Sequence, residues 1–297
     1  MTEDVRIPDG VDPAVPAPAR GAGVTEEPQV PAGVDRGVPA PARMYDYFLG
    51  GRNNFPADRD TAERVREVIP EVIDAAWANR GFHQRAARWL AEQGIGQFID
   101  IVSGLPTVGN THDVVQKVLP SARVVYVDND PLVLAYSADL LKGNPLATVV
   151  LADLRDPDSV LGHPDLRALI DFAEPVGLMM TAVVHFVAPS LDPWGLVATY
   201  TRALAPGSYL ALSQVTDEKT PPASVRTAEE MYSRASENIY FRSRADVERF
   251  FAGLEMISPG PGTPAAVVHV GEWGADDPAL ADSDGSRWLY CGVGRRP

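Results

Sequence analysis

Asp100, Asp128 and Asp153 each close a short apolar run of the kind that builds a buried strand: FIDIV around the first, RVVYV before the second, TVVLA before the third. A carboxylate after a second strand can accept two hydrogen bonds from the hydroxyls of a ribose. Asp153, with Leu154 beside it, is placed to accept from the exocyclic amine of an adenine. The loop that follows Asp100 holds Ser103 and Gly104, and a glycine there lets the backbone approach a ligand closely. Asn129 adjoins Asp128 in the same constellation. Any one of these residues is equally well explained as a solvated turn or a helix N-cap. Taken together, at the spacing of strand–helix–strand units, they describe a pocket for an adenosyl group.

The elements that must hold them in place follow from the hydrophobic pattern. Strand-like runs at 97–102, 123–127, 148–151, 176–184 and 209–213 alternate with helix-like stretches at 111–119, 131–141, 161–170 and 196–204. Such alternation requires crossover connections and a parallel sheet. The runs are apolar on both faces, as in a sheet covered by helices on both sides. Near the C-terminus the pattern changes: runs at 254–257, 266–270 and 288–293, with no helix between the last two, predict an antiparallel edge hairpin. Before the sheet, helices are predicted over 56–68 and 71–93, with Pro70 between them. Residues 1–42 are rich in Pro, Ala, Gly and Val and lack large apolar side chains. Such a segment cannot offset its own ordering entropy and reads as a disordered tail.

At this point the motifs become specific. FIDIVSGLPTVGNTHDVVQ, VVYVDNDPLVLAY, VVLADLRDP and AVVHFVAP, preceded by ARMYDYFLGGRNNFPADRD, resemble a bacterial family of S-adenosylmethionine-dependent methyltransferases. The resemblance spans about residues 42–293. It implies a class I, Rossmann-like α/β fold with a seven-stranded, mostly parallel sheet and an antiparallel last hairpin, with S-adenosylmethionine as cofactor. It also implies three parts: the tail, a lid with helices over 43–96, and a cofactor-binding domain over 97–297. Tyr45, Tyr47, Phe48 and Phe55 would belong to the lid, with Tyr47 near the cofactor. Arg80, and with it Arg52, would be a candidate partner for the methionine carboxylate, since a guanidinium binds carboxylate bidentately. Thr181 ends the fourth strand within the cofactor site. His185 follows that strand, where the reactive end of the cofactor points, and a histidine there can take the proton an acceptor loses. The plain alternative is a buried histidine satisfied by hydrogen bonds, and His112 has the same alternative to a supporting role.

One position departs from the family. Asp-Ile-Gly-Thr-Gly is usual where this chain has Asp100-Ile101-Val102-Ser103-Gly104. The replacement is mild if the backbone there is extended and costly if φ is positive, because a β-branched residue tolerates positive φ poorly.

Composition narrows the function further. With 26 Lys and Arg against 40 Asp and Glu, the chain carries a net charge of −14. That disfavours a nucleic-acid or anionic-membrane partner, since both are bound by clustered cations. A small-molecule acceptor fits better. One cysteine, Cys291, excludes an internal disulfide, and no metal-ligating cluster is legible. No signal-like or membrane-spanning segment is legible either, so a cytoplasmic location is expected. Three rivals stay open: a NAD-dependent oxidoreductase, a protein that binds S-adenosylmethionine without transferring its methyl group, and a partner-binding module that has lost its ligand. The first lacks the G-x-G-x-x-G loop that a pyrophosphate needs.

Overall fold

The computed structural model describes residues 30–31, 33–107, 109–218 and 221–297. Residues 1–29 of the expected tail lie outside the described residues. The chain opens with three helices, α1 (Pro41–Phe48), α2 (Pro56–Val68) and α3 (Val72–Glu92). There follow β1 (Gln97–Ile101), α4 (Thr111–Val118), β2 (Arg123–Asp128), α5 (Pro131–Leu140) and β3 (Ala147–Leu151). Two short helices, α6 (Pro157–Gly162) and α7 (Pro164–Leu169), lead to β4 (Gly177–Thr181). After it come two 3-10 turns, α8 (Pro193–Ala203), β5 (Tyr209–Val215), α9 (Pro222–Tyr232) and α10 (Arg244–Arg249). The last part holds β6 (Glu255–Met256), β7 (Val268–His269), α11 (Pro278–Ala281) and β8 (Leu289–Arg295).

The strands form one sheet in the order β3-β2-β1-β4-β5-β8-β6, with β7 also on β8. The five central strands are parallel, and β8 runs antiparallel to β5, β6 and β7. Among the described residues the count is eight strands rather than the seven expected. The difference is local: β6 pairs with the end of β8 at Gly294 and Arg295, β7 with Tyr290 and Cys291. Two short pieces thus share one edge position. The fold is the class I methyltransferase fold.

Alternation along the central strands sorts side chains onto two faces. Ile99, Ile101, Val125, Val127 and Leu178 pack on one side with Val197 and Tyr200 of α8. Phe98, Val124, Tyr126 and Met179 pack on the other with Phe82, Ala86 and Leu90 of α3. Asp100 shares the parity of Phe98, so its carboxylate lies under α3 and α4. Strand order reverses between β1 and β4, and there an open sheet leaves a crevice at its carboxyl ends.

Three local departures from the expected pattern have physical causes. The helix expected over 161–170 is two short helices, because Pro164 cannot donate and holds His163 extended (φ −60°, ψ 128°). A helix, α1, forms at 41–48 within the segment read as lid, with Pro41 at its first turn. The described end of the expected tail is not free: the backbone carbonyls of Asp35 and Val38 accept hydrogen bonds from Arg43 at 3.2 and 2.6 Å.

Candidate functional site

A cavity lies across the carboxyl ends of β1 to β4, roofed by α1, α3 and α9. Its lining includes Asp100, Ser103, Gly104, Asp128, Asn129, Asp153, Leu154, Thr181, His185 and Arg80. Tyr47 is the exception among the expected site residues. Its ring lies outside the lining, and its hydroxyl donates to Glu63 at 2.6 Å. Tyr45 takes the place facing the cavity. The reason is helical: once 41–48 coils as α1, residues two apart point about 200° apart, and only one of the two can face inward. Arg52 is exposed and His112 lies outside the cavity, its backbone N–H and ring bonded to Tyr126 at 2.8 and 2.6 Å.

The loop after β1 answers the question that Val102 posed. Its φ is +54°, in the left-handed region. That conformation costs a non-glycine residue about 1–2 kcal/mol. Ala182, at the equivalent end of β4, also has a positive φ of 57°. Gly104, at φ +67°, has nothing near where a Cβ would stand, so the loop keeps an open face toward the cavity. Strained turns at both central strand ends fit a site where backbone shape is set by a ligand.

Asp128 is 2 % exposed, yet both its oxygens accept backbone N–H groups: Gly104 at 2.9 Å and Asp130 at 2.9 Å. Burial pushes its carboxyl up to about 7, against the pull of those donors. Asp100 is also buried and raised to about 6 by burial, with the Thr111 hydroxyl opposing at 2.6 Å. Asp153 differs. Burial raises its pKa, but the bonds from Arg155 prevail and hold it below the usual value. The Arg155 guanidinium reaches on to Glu237 at 3.0 Å and so clasps the loop after α9 to the tip of β3.

Several residues missed by the sequence reading build this site. His83 on α3 is buried and has both ring nitrogens occupied: Nδ1 against Thr181 Oγ1 at 2.9 Å, Nε2 against Thr111 Oγ1 at 2.8 Å. Thr111 donates to Asp100, so it accepts from His83 Nε2–H, and His83 Nδ1 then accepts from Thr181. Burial and the nearby Arg80 push the imidazole pKa well down and keep it neutral, as this direction of donation requires. The chain of bonds fixes Thr181 and Asp100 relative to one another across β4 and β1. Four residues earlier on the same helix face, Asn79 accepts from Ser213 at 2.5 Å and donates to the Tyr45 hydroxyl at 3.0 Å. Arg43 on α1 joins Asp58 of α2 at 2.9 Å to Asp130 beside the β2 tip at 3.3 Å. None of these contacts has a local signature, since the partners lie 11 to 134 residues apart.

The family described as S-adenosyl methyltransferase matches residues 27–297. A structure of a provisionally named methyltransferase from Thermobifida fusca YX is 40% identical, covering 91% of this chain and 99% of its own, with a TM-score of 0.82. A DUF574 family protein from Streptomyces avermitilis is 39% identical, covering 88% and 98%, with a TM-score of 0.81. This chain belongs to the S-adenosyl methyltransferase family. The comparison with curated proteins found no match.

S-adenosylmethionine is the cofactor of the S-adenosyl methyltransferase family, and the donor set fits such a group. Buried carboxylates at the tips of β1 and β2, with an open loop between, suit hydroxyls and an ammonium rather than phosphates. A pyrophosphate would meet Asp100 and Asp128 on both sides of the loop and be repelled. The Ser103 hydroxyl is buried and holds no partner among the described residues, which leaves it available to a ligand. No group of three or more metal-ligating side chains occurs among the described residues. No helix there is long and apolar enough to cross a membrane.

Proposed function

We propose that this protein transfers the methyl group of S-adenosylmethionine to a small-molecule acceptor in the cytoplasm. The observation that carries the reading is the convergence of Asp100, Asp128, Asp153, Thr181 and His185 on one cavity at the reversal of strand order. The strand order supports the following roles. Asp153 and Leu154, outermost on β3, take the adenine edge. Asp128 with Asn129 on β2 takes the ribose hydroxyls. Asp100, Ser103 and Gly104 on β1, with Arg80 from α3, take the methionine part, the carboxylate of Asp100 facing its ammonium and Arg80 its carboxylate. Thr181, on β4, lines the part of the cavity that would hold the transferring methyl group.

Bound S-adenosylmethionine supplies a methyl group on a sulfonium, whose C–S bonding pair stays with sulfur while the acceptor's lone pair forms the new bond. The chain's residues then have two tasks, to align the acceptor and to receive any proton it loses. His185 is the candidate for the second. It is 4 % exposed and lines the cavity, and burial followed by the nearby Arg242 lowers its pKa to about 3. It is therefore neutral at working pH and able to accept a hydrogen bond from the acceptor, while the same depression makes it a weak base until a bound acceptor changes its surroundings. The acidic net charge supports an acceptor other than nucleic acid.

Val102 supports a second reading, a site that binds the cofactor without transfer, because its isopropyl group stands at the loop where the family has glycine. Calorimetry with S-adenosylmethionine, S-adenosylhomocysteine and NAD tests the first step. Binding of the two adenosyl-sulfur compounds with no response to NAD is expected. NAD binding alone would overturn both readings, and tight binding with no methyl transfer across a broad acceptor panel would favour the second.

A further inference from the structure

The cavity has two chemically different ends. The strand-tip end carries the charged groups, Asp100, Asp128, Asp153 and Arg80 among them. Beyond β4 it opens into a compartment between α1–α3 and α9, walled by Phe48, Ile69, Phe186, Tyr232, Ile239 and Trp288. Six helical or loop segments thus contribute chiefly apolar bodies to one space. Four of those six residues are aromatic, and the rings of Phe186 and Tyr232 lie 6.2 Å apart at 31°. Aromatic walls of this kind give flat, rigid contact to another ring.

Several polar groups at the edge of that compartment are held by partners, whereas the Tyr232 hydroxyl and the His185 imidazole show none among the described residues. Tyr45 donates to the Ala76 carbonyl at 3.0 Å, and Asn79 is held by Tyr45 and Ser213. Arg155 bridges Asp153 and Glu237 at the rim. At His185 no hydrogen bond holds the imidazole among the described residues, and its Nδ1 is buried without a partner. A buried polar ring with nothing to bind is costly, and a ligand hydrogen bond removes part of that cost.

We infer, on the reading that this is the methyl-transfer site, that the acceptor is an uncharged, ring-bearing, chiefly apolar molecule that presents one hydroxyl to His185. Among the described residues that line the compartment an anionic acceptor would find no free cation, since the Arg242 guanidinium lies outside the lining, bonded to the Val184 and Val187 carbonyls and to Gln214. A cationic one would find no carboxylate on the apolar walls. Amines that are protonated at neutral pH are thereby disfavoured. A neutral hydroxyl needs neither ion, and the imidazole accepts its hydrogen bond.

The test is calorimetry on the full-length protein saturated with S-adenosylhomocysteine. The probes are 2-naphthol, naphthalene, 2-naphthoate and 2-naphthylmethylammonium. The expected order is 2-naphthol tightest, naphthalene at least tenfold weaker, and both charged analogues at least a hundredfold weaker. His185→Phe should bind S-adenosylhomocysteine as before and lose the preference for 2-naphthol over naphthalene. A charged analogue that binds as tightly as 2-naphthol overturns the inference. So does a protein that takes up S-adenosylhomocysteine but none of the four probes, or a His185→Phe protein that keeps the preference. Failure to bind S-adenosylhomocysteine at all would instead refute the cofactor reading beneath it.

Discussion

Asp128→Asn separates the electrostatics of the buried carboxylate from its shape. In the folded protein this carboxyl titrates at about 7 rather than 3.8 because it is buried. A carboxyl raised on folding makes the folded state bind more protons than the unfolded chain between those two values. Stability therefore falls as pH rises through that window and levels off above about 7. Linkage puts the loss between pH 5 and pH 8 at about 2–3 kcal/mol for this one group. In a domain of this size that is a fall in Tm of several degrees, at about 2–4 °C per kcal/mol. The amide in Asp128→Asn does not titrate. It can accept on one atom only, so one of the two N–H groups now bonded at 2.9 Å, from Gly104 or Asp130, loses its partner. That costs about 1–3 kcal/mol at every pH. The variant should thus be less stable than the parent at pH 5 and close to it, or more stable, at pH 8. Asp100, Asp46 and the buried histidines titrate in both proteins and cancel in the difference. Binding of S-adenosylhomocysteine should move oppositely. The ionised carboxylate makes charge-assisted bonds to two ribose hydroxyls, so the variant should lose about 2 kcal/mol, roughly thirtyfold, at pH 8 and much less at pH 5. Differential scanning calorimetry and titration calorimetry at the two pH values read both effects. A stability difference between parent and variant that is the same at pH 5 and pH 8 would refute the assignment of a raised carboxyl to Asp128. Unchanged affinity at pH 8 would refute its ribose role.

Other perturbations probe the rest of the site. Val102→Gly relieves about 1–2 kcal/mol of left-handed strain but adds about 0.5–1 kcal/mol of chain entropy and removes a half-buried side chain, so urea unfolding should shift by no more than about 1 kcal/mol; a loss well above that would show the backbone there to be unstrained. Arg43→Met leaves the fully buried Asp58 carboxylate without its cation, and guanidinium denaturation should record a loss of about 3–5 kcal/mol; a loss below 1 kcal/mol would mean the backbone donors alone sustain that charge. His83→Leu strands the hydroxyls of Thr111 and Thr181, at about 1–3 kcal/mol for each group left unsatisfied, and a methyl-transfer assay should show a fall in kcat greater than the change in affinity for S-adenosylhomocysteine; the opposite split would place His83 in binding rather than positioning.

Much of the architecture was legible because its signals are local. Apolar runs marked β1, β2, β3 and β5 to within two residues and α2 was placed at its observed bounds, while the run over 176–184 extends three residues past β4. Carboxylates after apolar runs marked the strand tips. α9 was missed although Pro222 and the run TAEEM are helix-favouring, because its neighbours are polar on both sides and no period stands out. Tyr47 was chosen over Tyr45 because a flat reading of YDYF has no phase, and only the observed turn of α1 supplies one.

By itself the sequence determined the alternation of strands and helices, the order of the acidic tips and the family, since each depends on residues close together in the chain. The tertiary structure decided which of the marked residues meet, that Val102 stands at positive φ, that the His185 imidazole has no hydrogen-bond partner among the described residues, and that the space beside it is chiefly apolar. Those properties arise from side chains distant in sequence that meet across β1 and β4, where burial, and not residue type, sets charge and hydrogen bonding.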